Sequence, residues 1–484
     1  MLIRQTILYM PAQLFGPLAQ FIAAVVWTHW LAPDAYGVLT TIMAAQELAF
    51  IGLLSWWSAY TLRFLGGQES VSNIAFQKSE NTILWISAAA QAMFGIGTLL
   101  VFRLDLTFWL VAWTVLFTVS RCIGTHFSER ARARGLILVY TVLQLFGPVA
   151  GFGIAYGAVS LVSPTPQSAL AGFAIAQILG LLWAWRAMGL TVAISKPDRD
   201  QLWKAAVFGF PLIVGGAISW FSSNGIRIVV EQMNGIEALG LMSVGWGLGQ
   251  RLSSVAAMLV TAAAYPLAVA KIKDGSMQDA LWQLSLGGGL LLGILMPTAV
   301  GIILVTPVLV PLLIAEPFRE VTLAVLPLAA LAGALKNFRV HFFDQTIILV
   351  DKTYLTISLN GVEVVATLAA CLLGAYTHGL IGAVAGCLFG TIVGLLFAAF
   401  LCVWKLELPV QWDAFGRIAV ATLVMALAVN WLHRNPAFAG EWLKLGSMVA
   451  AGGAAYLISI AALYPRALAL RLRRFRAGRA ARAV

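Results

Sequence analysis

This sequence has little charge for its length. Asp, Glu, Lys and Arg make up 11% of its 484 residues, against 61% for the hydrophobic types, and mean hydropathy is +0.89. Soluble domains run near about 25% charged, so this chain cannot hide its apolar surface in a soluble core. Lipid must be its solvent. Cysteine is scarcer still: Cys122, Cys371, Cys387 and Cys402 stand singly in or beside apolar stretches, without CxxC spacing. They read as small core residues and not as a metal site or disulfide framework. His29, His126, His341, His378 and His433 show no HExxH or paired spacing and mostly fall at span ends, which argues against a metal centre. There is no GxxxxGK[ST] loop and no polar stretch long enough for a nucleotide-binding domain, so neither ATP hydrolysis nor a cofactor is expected. Asp198-Arg199-Asp200 has the DxD spacing of some glycosyltransferases, but it lies in a short basic segment and reads as a solvated turn.

At roughly 20 residues per crossing, spans fall near 8–30, 37–60, 81–102, 105–122, 136–159, 168–190, 206–227, 239–268, 280–304, 321–345, 354–375, 379–403, 417–432 and 445–464. That is about fourteen, in an all-α membrane protein. Threaded this way, about 25 of the 31 Lys and Arg fall on one side and about 5 on the other, with Arg251 inside a span. The rich side is cytoplasmic, because basic loops resist translocation, and an even span count puts both termini there. The intervening segments at 160–168 and 375–379 hold no Lys or Arg, and 307–320 has only Arg319 beside Glu316 and Glu320. The first span is too long for a signal-peptide core and no A-x-A-like site follows, so it is expected to stay attached. After the last span Arg466, Arg471, Arg473, Arg474, Arg476, Arg479 and Arg482 form a basic tail without interleaved aromatics. It reads as an anchor on the anionic inner leaflet, at about 1 kcal/mol per residue, and not as a nucleic-acid site.

A weak repeat at a separation near 203 organises the chain. Leu31-Ala32-Pro33-Asp34-Ala35-Tyr36-Gly37 joins two apolar helices, and Asn234-Gly235-Ile236-Glu237-Ala238-Leu239-Gly240 does the same in the second half. The acid, alanine and glycine match, and the same shift sets Glu47 against Gln250. Transporters build rocking bundles from such repeats. Both copies begin inside, so the expected domains are two parallel six-helix bundles, 1–190 and 200–403, then two extra helices in 417–464 and the tail 465–484.

These patches carry a family resemblance. The 31–37 turn resembles "Lgp.eyG", Phe208-Gly209-Phe210-Pro211 resembles "glP", and Ser219-Trp220-Phe221-Ser222-Ser223-Asn224-Gly225-Ile226-Arg227 resembles "wl..s.DR", with Ile226 where the pattern has an acid. Glu237-Ala238-Leu239-Gly240 and Gln250-Arg251-Leu252-Ser253-Ser254 resemble "eavG" and "qrlss". All are patterns of the polysaccharide flippases, which carry O-antigen and exopolysaccharide repeat units, in the multidrug/oligosaccharidyl-lipid/polysaccharide exporter superfamily. The resemblance implies a MATE-like, non-enzymatic carrier in the bacterial inner membrane. It would move undecaprenyl-diphosphate-linked oligosaccharide from the inner to the outer leaflet by alternating access, with polysaccharide polymerase machinery as a partner. An ion-coupled drug or metabolite antiporter shares this architecture. A membrane glycosyltransferase or polymer ligase would need a larger outer loop.

A charge at the centre of a span costs about 2.5–3.5 kcal/mol, so it faces a wet cavity or a partner. Arg251 lies roughly 18 Å into its span and Glu47 roughly 15 Å into the second; Glu363 has a similar depth in the eleventh. Arg stays charged away from bulk water and its fork matches phosphate oxygens. Arg251 is therefore the first candidate for the diphosphate, with Arg227 nearer the outer mouth and Lys336 and Arg339 toward the inner one. Gln250 sits beside Arg251, and Trp220 is placed either to stack on a sugar or in an interfacial belt with Trp56, Trp57 and Trp431. Arg251 paired with Glu47 or Glu363 is the competing arrangement. Glu47, Glu363 and Asp344 are candidates for a coupling proton. Four-residue glycine pairs at 147/151, 153/157, 245/249, 386/390 and 390/394 read as helix-packing contacts.

Overall fold

The computed structural model describes residues 2–65, 70–190, 196–273, 276–352, 354–435 and 440–465. The basic tail expected to hold the inner leaflet lies outside them. The described residues form helices joined by short connections, with no strand among them. In lipid the backbone must satisfy its own N–H and C=O groups, and a helix does so within one segment.

In chain order the helices are α1 (Leu2–Trp30), α2 (Pro33–Leu53), α3 (Ser55–Phe64), α4 (Ser70–Val101), α5 (Phe108–Ala133), α6 (Ile137–Leu145), α7 (Phe152–Leu161) and α8 (Pro166–Met188). They continue with α9 (Arg199–Lys273), α10 (Met277–Leu313), α11 (Glu316–Phe338), α12 (Asp344–Leu349), α13 (Tyr354–Phe400), α14 (Trp412–Arg434) and α15 (Glu441–Leu463). Proline in the first turn starts α2, α8 and α11, where its missing N–H costs nothing. Gly189 closes α8 in the left-handed conformation. Wider π-helical turns interrupt the chain at Phe146–Gly151, Arg339–Phe343 and Leu401–Lys405.

Eleven segments among the described residues are long and apolar enough to cross a membrane. Two of them cross twice. The 75 residues of α9 would run about 110 Å as one rod, against a hydrocarbon layer of about 30 Å. The chain instead turns at Gly235, whose φ of 88° only glycine adopts without strain. The 47 residues of α13 turn at His378 and Gly379. Counting both arms of each, and α1 with its 29 residues, restores the fourteen spans expected.

The contacts divide the chain into two compact units. One holds Met1–Val244 and Asn360–Gly390; the other holds Gly245–Leu359 and the chain from Thr391 onward. In the first unit Leu54, Trp57, Tyr60 and Phe76 form one buried cluster, and Phe127, Val139, Ala184 and Met188 another. Trp57 is therefore a core residue stacked on Phe76 and not part of an interfacial belt. In the second unit Leu284, Leu291, Phe338 and Phe342 anchor the main core. Val308, Met425, Val429 and Met448 bind α10 to α14 and α15, and the Tyr456 hydroxyl donates to the Gly293 carbonyl at 2.6 Å.

The glycine pairs divide. Gly245 and Gly249 lie against Val325, Ala329 and Ala330 of α11, while Gly386 and Gly390 meet Ala370 and Thr367 on the other arm of α13. Gly153 and Gly157 face open space. Their spacing on α7 makes no helix contact, correcting the expectation from the sequence.

Candidate functional site

A cavity of about 320 Å³ lies within the first unit, between α2, α4 and the first arm of α9. Thr41, Ala44, Ala45 and Leu48 supply one wall, Phe94, Gly97, Thr98, Val101 and Phe102 a second, and Trp220, Arg227 and Ile228 a third. The surface is almost entirely apolar, and Arg227 is its one charged residue. Trp220 is fixed there: its indole N–H donates to the Ala44 carbonyl at 3.1 Å, so the ring forms wall.

Arg227 is half-buried: Nη1 donates to Ser243 Oγ at 2.8 Å and Nε to Asn224 Oδ1 at 3.3 Å. Ser243 stands on the second arm of α9 and also accepts from Thr40 Oγ1 of α2 at 3.3 Å. Thr40 and Ser243 are 203 residues apart, the repeat separation read from the sequence. The glycines beside them obey the same offset. A Cβ on Gly37 would collide with the Ile236 carbonyl, and one on Gly240 with the Pro33 carbonyl. Each glycine thus meets the residue one turn before the other, Ile236 and Pro33 being themselves 203 apart, and the two backbones touch there.

The other site candidates divide between the two units. Glu47 is exposed on α2, within electrostatic range of Arg121 on α5. Glu363 is buried in α13, one turn from buried Thr367. These belong, with Arg227 and Trp220, to the first unit; Gln250, Arg251, Lys336, Arg339 and Asp344 belong to the second. Arg251 is half-buried, and a Cβ on Gly247 would lie 3.7 Å from its Nη1. Its guanidinium therefore lies back along its own helix. Lys336 is half-buried at the end of α11. One turn on, Arg339 is buried and paired with Asp344 at 3.6 Å across a π-helical turn. A residue proposed for substrate and one proposed for coupling thus form one ion pair.

No protein-family model matches the sequence, and no curated protein sequence matches it. Solved structures do match in fold. A lipid II flippase MurJ in an inward closed conformation aligns with a TM-score of 0.71 at 13% identity, over 96% of this chain and all of that one. A Vibrio cholerae MATE transporter aligns at 0.57 and 14% identity, over 83% of this chain and 96% of its own. An inward-facing multidrug resistance MATE family transporter of the MOP superfamily gives 0.55 and 14%, over 83% and 98%. The fold is MATE-like.

Within this MATE-like fold the first unit carries a polar cluster that the sequence reading missed. Glu80 of α4 accepts from Arg130 of α5 on one carboxylate oxygen and lies 2.8 Å from His126 Nε2 on the other. His126 Nδ1 lies 2.9 Å from Ser58 Oγ of α3. All four are buried, His126 completely, so that histidine is not a span-end residue. Its signal in the sequence was the i, i+4 spacing of His126 and Arg130 on one helix face. The DxD segment is a helix start: Asp198 Oδ1 accepts from the Asp200 backbone N–H at 3.0 Å, a capping role. No cluster of His, Cys, Asp and Glu able to hold a metal occurs among the described residues.

Proposed function

We propose that this chain is a non-enzymatic flippase that carries undecaprenyl-diphosphate-linked oligosaccharide repeat units from the inner to the outer leaflet of the bacterial inner membrane. It would work by alternating access of two bundles, as 1–190 and 200–403, with 417–464 appended and both termini cytoplasmic. The observation that carries this reading is Arg227, a cation lining an otherwise uncharged set of described residues in an apolar cavity of a MATE-like membrane fold. An amphiphile with an anionic head matches that pairing; a hydrophilic cation does not. Arg251 and Lys336 are the further phosphate ligands proposed, and Gln250 is proposed beside Arg251. Arg339, held by Asp344, is assigned instead to positioning Lys336 one turn away.

The match in length supports the same reading. The protein described as a lipid II flippase covers 96% of the chain, whereas the MATE transporters cover 83%. The difference is about the size of the last two spans. Coupling to an ion through Glu47 or buried Glu363 would fit either a flippase or an antiporter.

The test is Arg251→Gln and Arg227→Gln in cells lacking the chromosomal copy. Lipid-linked repeat units, followed by mass spectrometry and by access to an outside-added glycosidase, should accumulate complete on the inner leaflet. Units that reach the outer leaflet unpolymerised would assign the chain to the ligase class. Export of organic cations with unchanged lipid-linked sugars would assign it to the antiporters.

A further inference from the structure

We infer that the cavity between α2, α4 and α9 seats the head-proximal chain of a single-chain lipid phosphate, with Arg227 on the phosphate. The inference deepens the flippase reading and rests on it for the identity of the lipid.

A lipid chain moving from bilayer to an apolar cavity stays among hydrocarbon and gains nothing from the hydrophobic effect. Selection must come from shape and from the charged group at the rim. The cavity offers both. Its volume of about 320 Å³ equals roughly ten water-sized groups at about 30 Å³ each, which is room for a short length of one chain. Two of the bonds of Arg227 go to neutral acceptors, a hydroxyl and a side-chain amide. A phosphate oxygen would make a charge-assisted bond, roughly twice as strong, in place of the one to Ser243. Depth agrees as well. Arg227 stands eight residues before the turn at Gly235 and Thr41 eight residues after the start of α2 at Pro33, so both lie about 12 Å from one end of the helices. The charge distribution assigns that end to the outside. The seat is thus where a delivered lipid would rest before its tail re-enters the outer leaflet.

Gly97 makes the idea testable without touching Arg227. It lines the cavity, and a Cβ placed on it meets no atom within 4 Å, so the side chain of Gly97→Leu starts into open space. Gly52→Leu is the matched control, on open space outside the cavity. Full-length protein in detergent is probed by native mass spectrometry with undecaprenyl phosphate and, separately, phosphatidylglycerol. Wild type and Gly52→Leu should retain undecaprenyl phosphate, with retention about tenfold weaker, or 1.4 kcal/mol, in Gly97→Leu and in Arg227→Gln. Equal retention by Gly97→Leu overturns the inference. So does phosphatidylglycerol displacing undecaprenyl phosphate at equal concentration, since the seat would then belong to bilayer lipid. Proteoliposomes holding the lipid-linked repeat unit separate the two ideas. Translocation with undiminished binding to Gly97→Leu rejects the seat alone, whereas selective binding without translocation by wild type rejects the flippase reading alone.

Discussion

Glu80 shows what a single side chain can hide. It is 1% exposed, holds Arg130 and His126 together, and sits among three helices. Removing one partner of a buried ion pair leaves an uncompensated charge and costs about 3–5 kcal/mol, while removing both costs far less. Glu80→Gln should therefore lower thermal stability in detergent sharply, and the Glu80→Gln, Arg130→Gln double variant should recover part of the loss. Additive effects in that cycle would show the pair to be uncoupled. The sequence did announce Arg227, Arg251 and Glu363, because a charge inside an apolar run violates the pattern around it. Glu80 gave no such sign. Hydropathy starts its span at 81, whereas the helix starts at Ser70, and the extra turns carry the acid from an apparent loop into the core. Pairings such as Arg339 with Asp344 were equally invisible, since a five-residue spacing makes them neighbours only through the intervening π-helical turn.

At the scale of helices, apolar length alone located the spans, and the hinge at Gly235 was legible as a repeat of the turn before Gly37. Glycine spacing was a poorer guide, because four-residue pairs report that a backbone can approach and not that one does. The distinction is measurable. Gly240→Ala drives a methyl into the Pro33 carbonyl, and overpacking against backbone costs about 1–3 kcal/mol. Gly153→Ala, with open space around it, should be neutral or stabilising by about 0.4–1 kcal/mol. Thermal melts of both variants check this; equal melting points would remove the packing role of Gly240.

For the whole molecule the sequence conveyed the class through composition, and the bias of Lys and Arg proposes a threading. The division into units was not legible, because each of the two long helices contributes to both and no linker marks the boundary. The threading makes its own prediction. All four native cysteines are buried, so they form a silent background for labelling. Val162→Cys, exposed between α7 and α8, should react with an impermeant maleimide on intact spheroplasts. Lys352→Cys, also exposed, should react only after permeabilisation. Reversed labelling would invert the topology.

The meeting of Gly37 with Gly240 has a consequence for substitution. Two positions that exchange equivalent contacts at a constant offset follow the pattern of an isologous interface, here within one polypeptide. In a symmetric dimer any bulkier residue would strike such a junction twice, whereas in a single chain each side can be altered alone. Thr40 opposite Ser243 is such a difference: one side carries a methyl, and the other, lacking it, accepts from the Arg227 guanidinium.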